Sequence, residues 1–369
     1  MVYTTISLIK ADIGSKGGHI IPSEKVLETV DGYICKALGE GILSDYRVFH
    51  AGDDTEILMI HNLGEGNETI HKLAYDAFLA GTKVAKDQGL HGAGQDLLSD
   101  AFSGNVRGMG PGVAEMAINE RNSEQILIFT ADKTDPGAFN LPLYLTYADP
   151  MNTSGLLLNS NMKKGYKYTI MDVEYTDGDR VIERNTPEDL YDLAALLRDT
   201  ERFSIESIHS RHDGEIGAKV STTRLHNIAG TYTGKDDPVM IERAQGNFPA
   251  TGELLAPFAK IPYVAGFMRG SHVGPLMPVK HNQVPSFFDG PPLVSGRAVS
   301  LKNGKITEPV DVFDHPFWDH IRTKASEKAL EIRNQGFVGP AMLNIKELEY
   351  GGIKEILEKL DKEFVVREK

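Results

Sequence analysis

The stretch ILSDYRVFH-AGDD-TEILMIH, residues 42–61, restricts the fold of this chain more than any other. Two runs rich in β-branched and aromatic residues flank a glycine and two acids. That pattern reads as a hairpin with Gly52, Asp53 and Asp54 at its tip. A hairpin commits its sheet to antiparallel pairing. A strand-type run precedes it at residues 2–10, with Ile6 and Leu8 on one face. Between the two lies a helical run, 24–38, in which Val26, Leu27, Val30, Ile34 and Leu38 follow the 3.6-residue period. A second helix is expected over 68–87, with Ile70, Leu73, Ala74, Ala77, Phe78 and Val84 inward. ILIFTAD, 126–132, reads as a buried strand ending on an acid. Further strands are expected at 166–175, 203–210 and 239–243. Further helices are expected at 186–197, with Thr186 as N-cap and Pro187 in the first turn, from Pro316 to Asn334, and at 353–361. Strict β-α-β alternation is absent. The expected class is therefore α+β, in layers with mixed or antiparallel sheets, and not a doubly wound parallel sheet. No Pro/Gly/Ser linker divides the chain, so residues 1–369 are expected to form one domain.

Composition narrows the function classes. The net charge is −13, and no lysine/arginine cluster offers an electrostatic footprint for nucleic acid. No apolar run approaches the ~20 residues a membrane-spanning helix requires. The N-terminal MVYTTISLIKADIG lacks the pattern of a secretion signal, and a single cysteine, Cys35, permits no intrachain disulfide. A cytoplasmic location is the expectation. Val30, Ile34 and Leu38 around Cys35 read as an apolar helix face, so Cys35 is expected to be a buried structural thiol.

Acidic residues recur where strands end. Asp12 closes the first strand, Asp53 and Asp54 sit at the hairpin tip, and Asp132 closes ILIFTAD. Asp236 and Asp237 follow Lys235 in GTYTGKDDPVM, and Asp289 lies in FFDGPP. Each alone is an ordinary turn former. Brought together, they could not all stay ionised without counter-charge. Divalent cations supply that charge, and oxygen ligands favour magnesium or manganese over zinc. His19 and Gln95 could complete such a set. Lys235 is either a surface ion-pair partner or a nucleophile toward a ketone. The second role requires that bound cations cancel the field of Asp236 and Asp237. Tyr232 would then shuttle protons. Arg269 and Lys133 stand next to glycines as candidate phosphate cations, and backbone N–H groups near Gly104 and Asn105 could join them.

The motifs IKADIG, GHI, AGDD, HGAGQDLLSDAFSGNVRGMGPGVAEM, ADKTDPGAFNLPLY, ADP, GKDDPVM, MRGSHVGPLMPV, FDGPP and LEY occur in that order along nearly the whole chain. Together they resemble the bifunctional fructose-1,6-bisphosphate aldolase/phosphatases of archaea and deep-branching bacteria. The resemblance implies a single catalytic domain of layered α-β-β-α type, usually assembled as an octamer. It implies a gluconeogenic enzyme using several Mg2+ ions per site. That enzyme condenses dihydroxyacetone phosphate with glyceraldehyde 3-phosphate, then hydrolyses the 1-phosphate of the product to give fructose 6-phosphate. Lys235 resembles the Schiff-base lysine, Tyr232 the aldol proton donor and acceptor, and Asp12 the phosphatase general base. Asp12, His19, Asp53, Asp54, Gln95, Asp132, Asp236 and Asp237 match metal-binding positions. His19, His91, Gly104, Asn105, Lys133, Gln245, Gly246, Arg269, Asp289 and Tyr350 match sugar-phosphate contacts.

Two departures bear on the site. His91 stands where the family usually has tyrosine, so an imidazole is expected to keep a substrate hydrogen bond, with a pH dependence near ~6.5. The segment after GGHI is shorter than the family pattern and lacks a second histidine beside His19. Lys235 is also expected to leave the site for hydrolysis, on a glycine-containing stretch suited to movement. Two readings compete. A magnesium-dependent sugar phosphatase would use the carboxylates alone, with Lys235 as a phosphate ligand. A non-catalytic metal-binding scaffold would explain the acids but not the lysine–tyrosine pair.

Overall fold

The computed structural model describes residues 3–97, 110–175, 178–224, 237–264, 274–284, 291–334 and 352–367. Alternation along the first strand, β1 (Tyr3–Ala11), sets the architecture. Its even-numbered Ile6 and Leu8 point one way and its odd-numbered Ile9 and Ala11 the other, and both sets are buried. A strand apolar on both faces needs a partner layer on each side.

The first side is covered by helices α1 (Glu24–Gly39) and α2 (Glu68–Asp87). Ser23 and Asn67 cap their N-termini through side-chain oxygens. Val26, Val30, Ile34, Ala74 and Phe78 pack on Ile9 and Ala11, and on Ile57 and Met59 of the hairpin. That hairpin is β2 (Asp45–Ala51) and β3 (Asp54–His61), closed as expected over Gly52 and Asp53. With β4 (Gly112–Asn119) and the short strand Thr223–Arg224, these strands form a five-stranded antiparallel sheet.

The other side of β1 packs on a second sheet, of eleven strands. Its members used below are β5 (Glu124–Asp132), β6 (Tyr166–Asp172), β7 (Phe203–Ser210), β8 (Ile216–Val220), β9 (Val239–Ala244) and β10 (Leu293–Lys302). Ile126, Ile128, Val239, Ile241 and Val299 meet Ile6, Leu8, Leu58 and Ile60 between the sheets. The far face of this second sheet carries the outer helices. Leu127, Phe129, Tyr168 and Met240 pack there against Leu143, Tyr147, Leu196, Leu254, Phe258 and Trp318. The order of layers is helix, sheet, sheet, helix, the arrangement the resemblance implied. Among the described residues no helix is long and apolar enough to cross a membrane.

Three local expectations are corrected. Cys35 is exposed. The buried stripe of α1 runs through Val30, Ile34 and Ala37, and a step of about 100° past Ile34 carries the thiol to the solvent face. The helix expected over 186–197 begins only at Leu190. Thr186 is occupied by the sheet instead: its N–H donates to Tyr166 O at 2.8 Å and its Oγ1 accepts from Tyr166 N at 2.9 Å. The strand expected over 166–175 ends at Asp172.

One buried acid is not among the candidate site residues. Glu242 of β9 faces the outer helical layer, and its Oε1 has no hydrogen-bond partner. Burial pushes its carboxyl up to about 8, against a lowering hydrogen bond from Tyr147. A raised carboxyl favours the folded state below its ordinary value near 4.5, and that contribution is lost as pH rises through about 8. Glu242→Gln should therefore raise the melting temperature at pH 8 and change it little at pH 4.5. The difference corresponds to a few kcal/mol in order of magnitude. Thermal melts of parent and variant at both pH values check this.

Candidate active site

The ends of both sheets converge at one edge of the sandwich. In the five-stranded sheet, Ala11 pairs with Thr55, which brings Asp12 beside the hairpin tip. In the eleven-stranded sheet, Val239 pairs with Thr130, so Asp237 arrives opposite Asp132 as both strands run out. The hairpin tip lies directly over β5. Gly52 has φ +54, and a Cβ there would stand 1.6 Å from Asp132 Oδ2. Glycine at this turn thus answers both a left-handed backbone and a carboxylate underneath it.

Among the described residues two groups of ligand-type side chains result. Asp12, His19 and Asp53 form one, and Asp54, Asp132 and Asp237 the other. Within each group one ligand atom per residue lies within 4.8 Å of the others. His19 Nδ1 is 3.0 Å from Asp53 Oδ2 and 3.6 Å from Asp12 Oδ2. Asp237 Oδ1 accepts from Thr134 N at 2.5 Å. Buried ammonium groups reach the hairpin acids. Lys133 Nζ donates to Asp53 Oδ1 at 2.6 Å and lies 3.2 Å from Asp132 Oδ1. Lys10 Nζ donates to Asp54 Oδ2 and, at 2.7 Å, to the carbonyl of Ala131.

The electrostatics follow from this crowding. Burial, then the nearby Asp53, pushes the Asp12 carboxyl up to about 7. Burial likewise holds Asp132 well above the usual carboxylate range, despite Lys133. Burial also acts upward on Asp53, but Lys133 and His19 outweigh it and hold that carboxyl far below the ordinary range. Hydrogen bonds to Asp12 and then Asp53 raise the His19 imidazole to about 10. Asp132 Oδ2 and Gln95 Oε1 are buried without a hydrogen-bond partner. Unsatisfied buried oxygens beside crowded carboxylates are what a hard cation would satisfy. The residues present fit a divalent metal.

The remaining expected residues divide three ways. Gln95 sits under Gly92, where an added Cβ would lie 3.3 Å from Gln95 Oε1 and 3.8 Å from Asp12 Oδ2. His91 is exposed at the rim, its ring edge-on to His19 at 4.8 Å, and its backbone exchanges hydrogen bonds with Ser15. Gln245 and Gly246 are not brought to these clusters. They follow the opposite end of β9 from Asp237, a separation of roughly 25 Å along the strand. Lys235, Tyr232, Asp236, Gly104, Asn105, Arg269, Asp289 and Tyr350 lie outside the described residues.

Four contributors escaped the sequence reading. Asp96 anchors the Asp12 turn by accepting from Asp12 N at 2.9 Å and Gly110 N at 3.1 Å. Ser15 Oγ donates to Gly18 O at 2.7 Å and contacts Asp53 Oδ2 at 3.3 Å. Thr134 acts through its backbone N–H. Lys10 carried a legible signal, because it falls in phase with Ile6 and Leu8 on a buried strand face.

The family model described as Fructose-1,6-bisphosphatase matches residues 3–365. A protein of Thermus thermophilus named fructose-1,6-bisphosphate aldolase/phosphatase is 55% identical over 360 residues, which is 98% of this chain and 99% of that one. Proteins of the same name from Methanothermobacter marburgensis and Ignicoccus hospitalis are 48% and 49% identical over 362 residues. Those alignments span 98% of this chain and 98% and 92% of the relatives. Identity near one half, sustained from end to end over a chain whose strand ends gather two acid clusters, shows that this chain belongs to the fructose-1,6-bisphosphate aldolase/phosphatase family.

Proposed function

We propose that the chain condenses dihydroxyacetone phosphate with glyceraldehyde 3-phosphate and then hydrolyses the 1-phosphate of the resulting fructose 1,6-bisphosphate in the same site. The observation that carries this reading is the meeting of two carboxylate groups at one sheet edge, with Asp237 two residues along the chain from Lys235. The full-length likeness to proteins whose name joins both activities supports it.

In this proposal Asp12, His19, Asp53, Asp54, Gln95, Asp132, Asp236 and Asp237 hold the cations, with several Mg2+ ions per site. When bound, those ions supply charge for the phosphoryl oxygens and an acidified water. The chain's own groups do the carbon chemistry. The Lys235 amine attacks the ketone carbon of dihydroxyacetone phosphate, and loss of water gives an iminium. Tyr232 removes a proton from the adjacent carbon, and the carbon nucleophile so formed adds to the aldehyde. Tyr232 returns the proton to the new alkoxide, and water releases fructose 1,6-bisphosphate. Asp12 then serves as base for hydrolysis. Lys133, His19, His91, Gly104, Asn105, Arg269, Asp289 and Tyr350 bind the sugar phosphates.

Gln245 and Gly246 belong to the same proposed contact set, yet they sit at the far end of β9 from the acids. In the proposed homo-octamer a second copy of the chain would present them. A single catalytic domain over residues 1–369 and a cytoplasmic location complete the reading.

The direct test supplies triose phosphates and magnesium with no bisphosphate. Fructose 6-phosphate and inorganic phosphate should appear, and their absence would overturn the proposal. Lys235→Ala should abolish condensation while hydrolysis of added fructose 1,6-bisphosphate survives at least in part. Loss of both activities together would argue against separate roles. Asp132→Asn should raise the magnesium concentration for half-maximal phosphate release by about 10–100-fold, read from a titration after chelator treatment.

A further inference from the structure

Lys10 lies outside every residue set discussed under the proposed reaction, yet it touches Asp54 of the metal-type cluster and the backbone next to Asp132. Its side chain is wholly buried between the sheets. An ammonium in that position is unfavourable unless it is paired and hydrogen-bonded. Lys10 is both: Nζ donates to Asp54 Oδ2 at the hairpin tip and, at 2.7 Å, to Ala131 O at the end of β5. One side chain from β1 thereby ties the hairpin of the five-stranded sheet to the strand of the other sheet that carries Asp132.

Lys133 repeats the arrangement on the neighbouring acid. It donates to Oδ1 of Asp53, while Oδ2 of Asp53 faces His19 at 3.0 Å. Both acids of the hairpin pair therefore have one carboxylate oxygen engaged by a buried ammonium. An oxygen that accepts from an ammonium has one lone pair committed and part of its charge neutralised, so it is a poorer second half of a bidentate grip on a cation. Magnesium and calcium differ in this respect. Calcium takes a larger oxygen shell and readily uses both oxygens of a carboxylate, whereas magnesium keeps a tight octahedron of single-oxygen contacts.

The geometry points to Lys10 as a cation-specificity residue: by donating to Oδ2 of Asp54 it weakens that oxygen as a second ligand and so disfavours calcium relative to magnesium. The inference rests on the magnesium reading given above. Removing the ammonium also makes the site more negative, which strengthens every divalent cation alike. That common effect cancels in the calcium-to-magnesium ratio, and a purely structural contribution of Lys10 would not move the ratio either.

The test compares the parent with Lys10→Met and Lys10→Gln, both neutral and both checked for cooperative melting. Thermal-shift titrations with MgCl2 alone and with CaCl2 alone give the half-saturating concentration of each ion. Phosphate release from fructose 1,6-bisphosphate with magnesium is measured in parallel, with and without added calcium. In the variants the half-saturating calcium-to-magnesium ratio should fall about tenfold, a second-layer effect of ordinary size, and calcium should become a stronger inhibitor. An unchanged ratio in a folded neutral variant overturns the proposal. Failure of both variants to fold also overturns it, because Lys10 is then a structural group. A parent that releases no phosphate with magnesium would sink the functional reading itself. An active parent with an unmoved ratio sinks only this inference.

Discussion

Buried carboxylates repel one another, and this molecule confines that repulsion with two lysines. Asp53 and Asp54 stand side by side at a tight turn, nearly sealed from water. Their mutual field is tolerable because Lys133 approaches one and Lys10 the other. Without those contacts the hairpin tip would either turn toward solvent or hold protons. With them, the tip folds down over Asp132, and the ends of two different sheets share one polar chamber. The uncompensated remainder is visible in Asp12 and Asp132, whose carboxyls burial drives upward. A site left short of positive charge in this way is suited to receive it from outside.

The layers make this chamber possible. Each sheet contributes strands whose two faces are both apolar, so helices cover the outside and the sheets cover each other. Strand ends of both sheets then lie at the same rim, where side chains no longer alternate between packed surfaces. Polar groups buried between the sheets are only partly compensated. Arg297 of β10 donates to Ser295 and to His50 O, and stacks over Phe49 at 3.9 Å. Glu56 lies 4.0 Å from that guanidinium. Burial raises the Glu56 carboxyl to about 7 even so.

Much of this was legible from residues alone, for reasons that can be named. The hairpin, α1, α2, β5, β7 and the helices Pro316–Asn334 and Ile353–Asp361 follow strong periodicity with clear caps or turns. Several strands were not read, β4, β8 and β10 among them. β4 carries Glu115 among apolar neighbours, held by Ser7 Oγ at 2.6 Å and Gly66 N at 2.5 Å, contacts no local pattern announces. β10 is interrupted by Gly296 and Arg297. A Cβ on Gly296 would stand 2.5 Å from Val312 Cγ2, so packing from a distant segment dictates that residue. Thr186 and Cys35 misled because capping chemistry and apolar neighbours are local cues, while sheet pairing and helix phase decided the outcome. At the site, acids at strand ends were readable as a class. The grouping into two clusters, and the ammonium groups beneath them, required the register of two sheets.

Both clusters are proposed here as cation sites. Anomalous diffraction at the manganese edge, from crystals soaked in manganese and fructose 1,6-bisphosphate, tests this proposal most directly. Peaks are expected between Asp12, His19 and Asp53 and between Asp54, Asp132 and Asp237, with the phosphate of the sugar against them. Manganese bound only at surface carboxylates, with both clusters empty, would contradict it.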